Sequence, residues 1–253
     1  MLAAVFGLQS VFLLNGLSKI VIVLVVFWGV KETRPTLTGT ELNTAQGKNR
    51  KISFYPFRDR TFAILAIATA AFAMSNAGIM QTIVPVYAID IIEVDEAAVG
   101  FLISVASTVT FLFAYPNGII ADRYGRKRSL VPGLFFLSVA SFVFTTGDYY
   151  IVILIAVSIK GLGEAMALGT TQTYAMDLAP VDARGAYIGL WSFSQALGAT
   201  LGPMVTASLY YLVSPNTAFV CMAIILAISA LLLMIFGRET VGEIKNTVLN
   251  DKK

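Results

Sequence analysis

The sequence predicts an all-α, polytopic membrane protein, and three observations lead to that prediction. Hydrophobic residues make up 57% of the 253-residue chain and charged residues only 13%, with a mean hydropathy of +0.78; a soluble domain carries roughly 25% charged residues. The charges fall in a few short clusters, and long apolar stretches separate them. Such a stretch can cross the hydrocarbon core as a helix, which satisfies its own backbone hydrogen bonds without water.

Seven membrane-spanning helices are predicted from these stretches. Their approximate bounds are 3–30, 61–89, 98–120, 129–146, 149–176, 186–211 and 217–237. The longest break, residues 31–60, is polar, contains Gly and Pro, and holds seven cationic and three acidic residues. This composition is typical of a linker, so we expect one helix, a linker and then a bundle of six helices.

The distribution of Lys and Arg predicts the orientation, because cytoplasmic loops are enriched in cations. Alternate loops hold seven, four, one and four cations; these are residues 31–60, 122–128, 177–185 and 238–253. The loops between them hold none; these are residues 90–97, 147–148 and 212–216. We therefore expect a multi-pass protein of the cell membrane in which the first three cationic loops and the C-terminus are cytoplasmic.

The beginning of the chain is unusual for this topology. An apolar span starts at Met1 with no cation before Lys19, which makes a poor signal peptide and a poor start for an external N-terminus. We therefore expect a fragment or a truncated gene product whose earlier helices are missing.

Several classes of chemistry do not fit the composition. The chain has no His, which removes metal sites and proton relays built on that residue, and the single Cys221 can form no internal disulfide. No P-loop pattern occurs, and Gly161-Leu162-Gly163 is interpreted as a site of close helix packing. The net charge of +3 comes from loop cations at the membrane surface and does not indicate nucleic-acid binding. We expect a protein that is not an enzyme and that holds no metal or cofactor.

The densest charge cluster carries a resemblance to a known family. The stretch GIIADRYGRKRSL matches the loop pattern G-x-x-x-D-[RK]-x-G-R-[RK] of the major facilitator superfamily at every main position. The matching residues are Gly118, Asp122, Arg123, Gly125, Arg126 and Lys127. The stretch also follows the second helix of the predicted bundle on the cytoplasmic side, which is where the family places this loop.

Two weaker matches accompany the loop. The stretch DLAPVDARGAYIGL resembles the family's loop after the fourth helix of a half, through Asp177, Pro180, Arg184 and Gly185. The stretch GATLGPMVTA resembles the Gly-Pro motif of the next helix, a helix-packing motif, through Gly198, Gly202 and Pro203. Thr206 and Ala207 replace the glycine pair that follows this motif in the family.

The resemblance implies a domain organisation, because the family has two six-helix halves joined by a long cytoplasmic loop. Residues 1–30 would be the last helix of the first half, 31–60 the linker between the halves, 61–237 the C-terminal half and 238–253 a cytoplasmic tail. The implied fold is a six-helix half-bundle of the major facilitator type plus one preceding transmembrane helix.

The resemblance also implies that residues 118–127 are a conformational switch loop, whose contacts hold one conformation and break in the other. Gly118 and Gly125 permit a tight turn and close helix approach. Asp122 can accept hydrogen bonds from a neighbouring helix N-terminus or pair with a cation. The alternative is a basic loop that only fixes orientation, a purpose for which the cations alone would suffice.

Lys160 and Glu164 are the main candidates for chemistry within the membrane. They lie near the middle of a span, where a charge costs at least about 2.5–3.5 kcal/mol, and four residues apart on one helix face, with Thr171 projecting in a similar direction. By resemblance this helix is the family's tenth, which lines the central cavity. Because the chain has no His, Glu164 is the best candidate for proton coupling, and Lys160 would be its partner or a site for an anionic substrate. A closed structural ion pair is the alternative.

Other polar and small residues inside spans are weaker candidates. Asn76 and Gln81 could contact substrate or bond to neighbouring helices, and the same two interpretations apply to Trp191 and Gln195. A stripe of small residues on the Lys160 helix is suited to packing another helix; it consists of Gly161, Ala165 and Gly169.

These observations predict a secondary active transporter that moves a small solute across the bilayer by alternating access, driven by an ion gradient that we expect to be protons. One half cannot enclose a cavity, so the chain would need the missing N-terminal half or a second copy. The alternative is a non-transporting membrane remnant or scaffold. Neither the substrate, the direction of transport nor the coupling mode follows from the sequence.

Overall fold

The computed structural model describes residues 8–29, 55–180 and 183–240. It divides into two compact units, residues 1–51 and 52–253, which are considered separately. Most of the predicted linker, the tail beyond residue 240 and the first residues of the first predicted span lie outside the described residues.

The first unit contains helix α1, Leu8–Gly29, at the position of the first predicted span. Its second half is a run of large apolar residues that are exposed within the unit, among them Val23 and Trp28. Lys19 is exposed as well.

The second unit contains six long helices that begin and end within a few residues of the six remaining predicted spans. They are α2 Arg60–Asp90, α3 Glu96–Tyr124, α4 Arg126–Val143, α5 Tyr150–Asp177, α6 Arg184–Leu212 and α7 Pro215–Phe236. A short 3-10 turn, Tyr55–Arg58, precedes α2, and the described residues contain no β-strand. The prediction of an all-α fold is confirmed.

Four of the described helices, α2, α3, α5 and α7, are long and apolar enough to cross a membrane. The chain is therefore a multi-pass membrane protein. Helix α4 begins with three consecutive cations, and α6 carries several hydroxyl and amide side chains among its apolar residues. The predicted total of seven crossings stays a prediction.

Polar side chains just before the apolar runs set where α2 and α3 begin. Asp59 accepts a 2.9 Å hydrogen bond from the backbone amide of Thr61, and Asp95 accepts one of the same length from the amide of Ala98. Each carboxylate satisfies one of the amides that a helix N-terminus leaves without an intrahelical partner.

The six helices pack in pairs around two apolar cores. Helix α2 lies along α6 and also contacts α7, while α5 lies along α3 and α4, and α4 contacts α7. The core on the side of the switch loop includes Phe62, Leu134 and Tyr174. The opposite core includes Tyr87 and Phe219. The middle of α2 and the middle of α5, which carry their polar residues, lie between the two cores.

The contact between α2 and α6 depends on glycines. A β-carbon on Gly198 would overlap the carbonyl oxygen of Ala70, and one on Gly202 would come within 2.5 Å of the carbonyl oxygen of Met74. Pro203 follows inside α6. The Gly-Pro motif therefore lies where two helix backbones approach more closely than any larger residue would permit.

Candidate functional site

The two charged residues predicted inside α5 form an ion pair, and a side chain of α2 donates a hydrogen bond to it. The ammonium Nζ of Lys160 lies 2.5 Å from Oε2 of Glu164. The side-chain amide of Asn76 donates a 2.6 Å hydrogen bond to the other carboxylate oxygen, Oε1. Gln81 donates in turn to Oδ1 of Asn76 at 3.3 Å. Two residues predicted as separate candidates, Asn76 and Glu164, are thus brought into direct contact across 88 positions of sequence.

The middle of α2 is wound as a π-helix over Asn76–Ile83. This winding adds a residue to each turn and is frequent at functional sites. It places Asn76 and Gln81, which are five residues apart, within hydrogen-bond distance of each other. The hydroxyl of Thr82 donates to the carbonyl of Ala77, also five residues back, at 2.9 Å.

The ion pair is largely withdrawn from the surface of the unit. The side chain of Lys160 is 7% exposed and that of Glu164 is 16% exposed. Such a pair is stable only if the hydrogen-bonding capacity of both partners is satisfied, and Asn76 supplies the second donor to the carboxylate. Both carboxylate oxygens of Glu164 are thus held in place, one by Lys160 and the other by Asn76.

The other predicted cavity residues lie apart from this network. Thr171 is buried on α5, and Gln195 is half-buried on α6. The indole nitrogen of Trp191 is buried and has no hydrogen-bond partner among the described residues. None of these three side chains is among the described contacts of the ion pair.

Two carboxylates bind Arg126 of the switch loop, one from the loop itself and one from the end of α5. Its Nη1 donates to Asp122 at 2.5 Å, and its Nε donates to Asp177, at the end of α5, at 3.1 Å. The guanidinium of Arg123 lies 5.7 Å from the ring centre of Tyr124. Asp177 belongs to one of the weaker sequence matches, and the structure brings it to the loop that carries the stronger one.

The two loop glycines differ in their surroundings. Gly125 forms the turn between α3 and α4 with φ of 115°, which strongly favours glycine. Gly118 has open space where a β-carbon would lie, with no described atom within 4 Å. Among the described residues no helix approaches Gly118, so the close helix approach expected there stays a prediction.

A short segment after α7 is held against the start of α4. Lys127 donates from Nζ to the carbonyl of Gly237 at 2.8 Å, and the hydroxyl of Tyr174 donates to the carbonyl of Arg238. The carboxylate of Glu239 occupies the space beside Gly125, and its Oε2 is buried without a hydrogen-bond partner among the described residues. The sequence placed this segment only in a cytoplasmic tail.

An open groove of about 430 Å³ runs between α3 and α5 beside the loop. Mostly small or hydroxyl-bearing side chains line it, namely Thr110, Ala114, Gly118, Ala121, Gly169 and Thr173. Asp122 and Arg126 border it as well. Within the predicted small-residue stripe, Gly161 packs closely on the Ala106 carbonyl of α3, whereas Gly169 faces open space.

A buried polar contact that sequence reasoning missed joins α3, α4 and α5. Asn117 donates from Nδ2 to the carbonyls of Ala165, at 3.1 Å, and Met166, at 3.4 Å. Its Oδ1 accepts a 2.6 Å hydrogen bond from Ser129. An amide inside an apolar span is itself a signal that could have identified Asn117 from the sequence.

A second missed contact lies at the opposite end of the bundle. The hydroxyl of Tyr87, buried near the end of α2, donates to the carboxylate of Asp148 in the turn between α4 and α5. The ring of Tyr87 packs edge-on against Phe219. The sequence identifies Asp148 only as part of a loop without cations and gives no sign of this contact.

Comparison with known proteins agrees with this architecture. The sequence profile of the Major Facilitator Superfamily matches residues 65–252, which cover most of the chain and all of α3 to α7. The chain belongs to the Major Facilitator Superfamily. The switch loop and the Gly-Pro contact of α6 both fall within the matched region of this superfamily member.

Individual relatives are distant in sequence. An uncharacterised MFS-type transporter of Methanocaldococcus jannaschii is 25% identical over 150 residues, which cover 59% of this chain and 38% of the relative. Multidrug resistance protein 1 of Bacillus subtilis is 25% identical over 112 residues, covering 44% and 29%. Quinolone resistance protein NorA of Staphylococcus aureus is 25% identical over 126 residues, covering 50% and 32%. The superfamily member described here thus spans less than half the length of each of these relatives.

Proposed function

We propose that this chain forms the C-terminal half of a secondary active transporter that moves a small solute by alternating access and couples the movement to protons. The observation that carries the proposal is the Lys160–Glu164–Asn76 network, which places two charged side chains in the middle of the bundle. Ionisable residues within membrane helices are costly, so their presence favours a role in a transport path or proton relay.

Glu164 is the proton-binding group in this proposal. Its carboxylate contacts Lys160 through one oxygen and Asn76 through the other, so gaining a proton would weaken the ion pair and free Lys160. Gln81 extends the network from Asn76 to the exposed surface of the unit, where a solute can form hydrogen bonds. Protonation and solute binding would then compete for, or cooperate through, the same amide chain.

A partner half would cover the groove between α3 and α5. The groove is lined by small residues that permit a helix backbone to approach, and the carboxylate of Asp122 stands at its border, where it can meet the N-terminus of an incoming helix. The chain also spans less than half of its relatives, whose remaining length would supply such helices. We propose a helix of the N-terminal half as the occupant, with the cationic loops on the cytoplasmic side of the cell membrane.

Proton-driven flux in proteoliposomes tests the proposal. The native open reading frame that contains this chain is reconstituted, a pH gradient is imposed, and uptake of a panel of small organic compounds is measured. Quinolones enter the panel first because a relative is named for quinolone resistance. Glu164→Gln should abolish gradient-driven flux while the protein remains folded, because Gln keeps an oxygen for the Asn76 amide but carries no titrating proton.

Glu96→Gln is the matched control, because Glu96 is an exposed carboxylate at the start of α3. It should leave gradient-driven flux unchanged. Unaltered flux in the folded Glu164→Gln variant would remove Glu164 from proton coupling, and the absence of gradient-driven flux for every compound in the parent would refute the transporter proposal.

Docking of the partner half has its own test. Gly169→Leu places a large side chain in the open groove without a steric conflict inside this unit, since no described atom lies within 4 Å of the β-carbon position. Crosslinking between the two halves should fall in this variant while the thermal stability of the separate chain is retained. Full crosslinking yield would place the partner half elsewhere.

A further inference from the structure

We propose that Asn117 and Ser129 are positioning residues that transmit the state of the switch loop to Glu164. The inference rests on the proposed function, because it concerns the regulation of the same site. The two residues form a buried junction between the three helices that meet at the loop: α3, which ends at it, α4, which begins at it, and α5.

The hydrogen bonds of the junction determine how the Asn117 amide is oriented. Nδ2 lies within hydrogen-bond distance of two backbone carbonyls, which can only accept, and Oδ1 faces the hydroxyl of Ser129, which can donate. A flipped amide would set its oxygen against two carbonyl oxygens. Ser129 is fully buried, and Asn117 is 6% exposed and helps to line the open groove, so loss of the bond between them deprives a largely buried polar group of this partner.

The position of the junction connects two sites that are otherwise separate. The carbonyls that it binds belong to Ala165 and Met166, the two residues that directly follow Glu164 in α5. Ser129 itself also lies 3.3 Å from the Met166 carbonyl. Asn117 is five residues before Asp122, and Ser129 is three residues after Arg126. A rotation of α3 or α4 at the loop therefore pulls on the backbone that carries the carboxylate.

The consequence is a reciprocal linkage between the loop and Glu164. If the loop biases the placement of Glu164, then neutralising Glu164 must bias the loop by the same factor. A purely structural junction would stabilise the bundle without carrying this effect. A transmitting junction therefore predicts that a substitution at Glu164 alters the groove beside the loop, and a purely structural junction predicts no such effect.

The experiment measures this linkage by thiol labelling of the groove. Thr173, which lines the groove, is changed to Cys on a Cys221→Ser background in the native open reading frame, and the rate of reaction with N-ethylmaleimide is recorded in proteoliposomes. We expect Glu164→Gln to change this rate by about fivefold or more, which is the lower range of allosteric coupling. With Ser129→Ala also present, Glu164→Gln should change the rate by less than about twofold.

Ser138→Ala is the matched control. Ser138 lies on the same helix and donates a buried hydrogen bond to a carbonyl, that of Ala223 on α7, so its loss removes an equivalent contact in another direction. The response to Glu164→Gln should persist in Ser138→Ala. Asn117→Ala serves as a second test of the junction if Ser129→Ala fails to fold, and folding of each variant is checked by its thermal unfolding midpoint.

Two results would overturn the proposal. One is a full response to Glu164→Gln in folded Ser129→Ala or Asn117→Ala, which would make the junction structural only. The other is a parent in which Glu164→Gln leaves the labelling rate unchanged, since there would be no linkage to transmit. Neither result would contradict the proposed transport function, which is measured separately as gradient-driven flux in the same vesicles.

Discussion

The carboxylate of Glu239 lies beside the α-carbon of Gly125, at the turn where α3 ends and α4 begins. A β-carbon at Gly125 would overlap the Cδ, Oε1 and Oε2 atoms of the Glu239 carboxylate. The backbone there has φ of 115° and ψ of 152°. The dihedral angles therefore require glycine at the centre of the switch loop, whereas the Glu239 carboxylate, at the end of a flexible side chain, could move aside for a β-carbon.

Gly125→Ala is expected to destabilise the protein by roughly 1–3 kcal/mol, the usual cost of holding a non-glycine residue in such a region. Thermal unfolding of the detergent-solubilised protein measures the change. Gly118→Ala is the control, because it lies in the same loop motif but on a helix with open space around it, and Ala favours helices over Gly. Equal stability of Gly125→Ala and the parent would show that the turn relaxes and that Glu239 moves away.

Asp122→Asn should shift the conformational equilibrium while leaving the fold intact. The Asp122 side chain is 69% exposed, and its partner Arg126 keeps a second bond to Asp177, so the lost ion pair is worth at most about 1 kcal/mol. Substrate binding should be retained, since the described ion pairs of Asp122 and Arg126 include no residue of the Lys160–Glu164 network. Distance distributions between a spin label on this chain and one on the proposed partner half measure the shift.

Asp177→Asn is the comparison for that experiment. The Asp177 side chain is 21% exposed and that of Asp122 is 69% exposed, so the loss of Asp177 should lower the unfolding midpoint more than the loss of Asp122 does. Identical distance distributions in Asp122→Asn and the parent would contradict the interpretation of residues 118–127 as a switch loop.

Local patterns in the sequence were sufficient for much of the fold and for part of the site. Hydropathy located the helices because a spanning helix must be apolar over its whole length. The spacing of Lys160 and Glu164 predicted their contact because residues four apart share a helix face. The glycine at position 125 was recognised as a turn because few other residues can form it.

Contacts between helices far apart in sequence could not be predicted in the same way. Asn76, which bonds to Glu164, lies in a π-helical segment that no sequence pattern predicted. Glu239 was assigned to a tail because charge composition reports the side of the membrane and not the neighbour that a side chain meets. The surroundings of Gly118 could not be predicted either, since nothing local distinguishes an intrahelical glycine in a contact from one beside an open groove.

Lys160→Met tests whether the buried charges stabilise each other. The variant leaves the carboxylate of Glu164 with Asn76 as its described partner in an apolar setting, and breaking a buried pair by removing one member typically costs about 3–5 kcal/mol. The double variant Lys160→Met/Glu164→Gln removes both charges and should recover most of that loss. Unfolding free energies of the parent, both single variants and the double variant form the cycle. An additive cycle would mean that the two charges do not interact.

Gly198→Ala should weaken the packing of α2 on α6. The added methyl group would overlap the Ala70 carbonyl, which is rigid helix backbone, so the helices must separate. Inserting a methyl group into a filled contact typically costs about 1–3 kcal/mol, and Gly202→Ala should act in the same direction through the Met74 carbonyl. The unfolding midpoint of the solubilised protein reports the effect.

Gly189→Ala is the matched control for this change, because it lies on the same helix with no described atom within 4 Å of the β-carbon position. It should be neutral or stabilising by up to about 1 kcal/mol, since Ala is the better helix former. The contrast between the two substitutions separates helix propensity from packing. If Gly198→Ala proved as stable as Gly189→Ala, α2 and α6 would have to lie further apart in the membrane than their backbones do here, and the Gly-Pro motif would need another explanation.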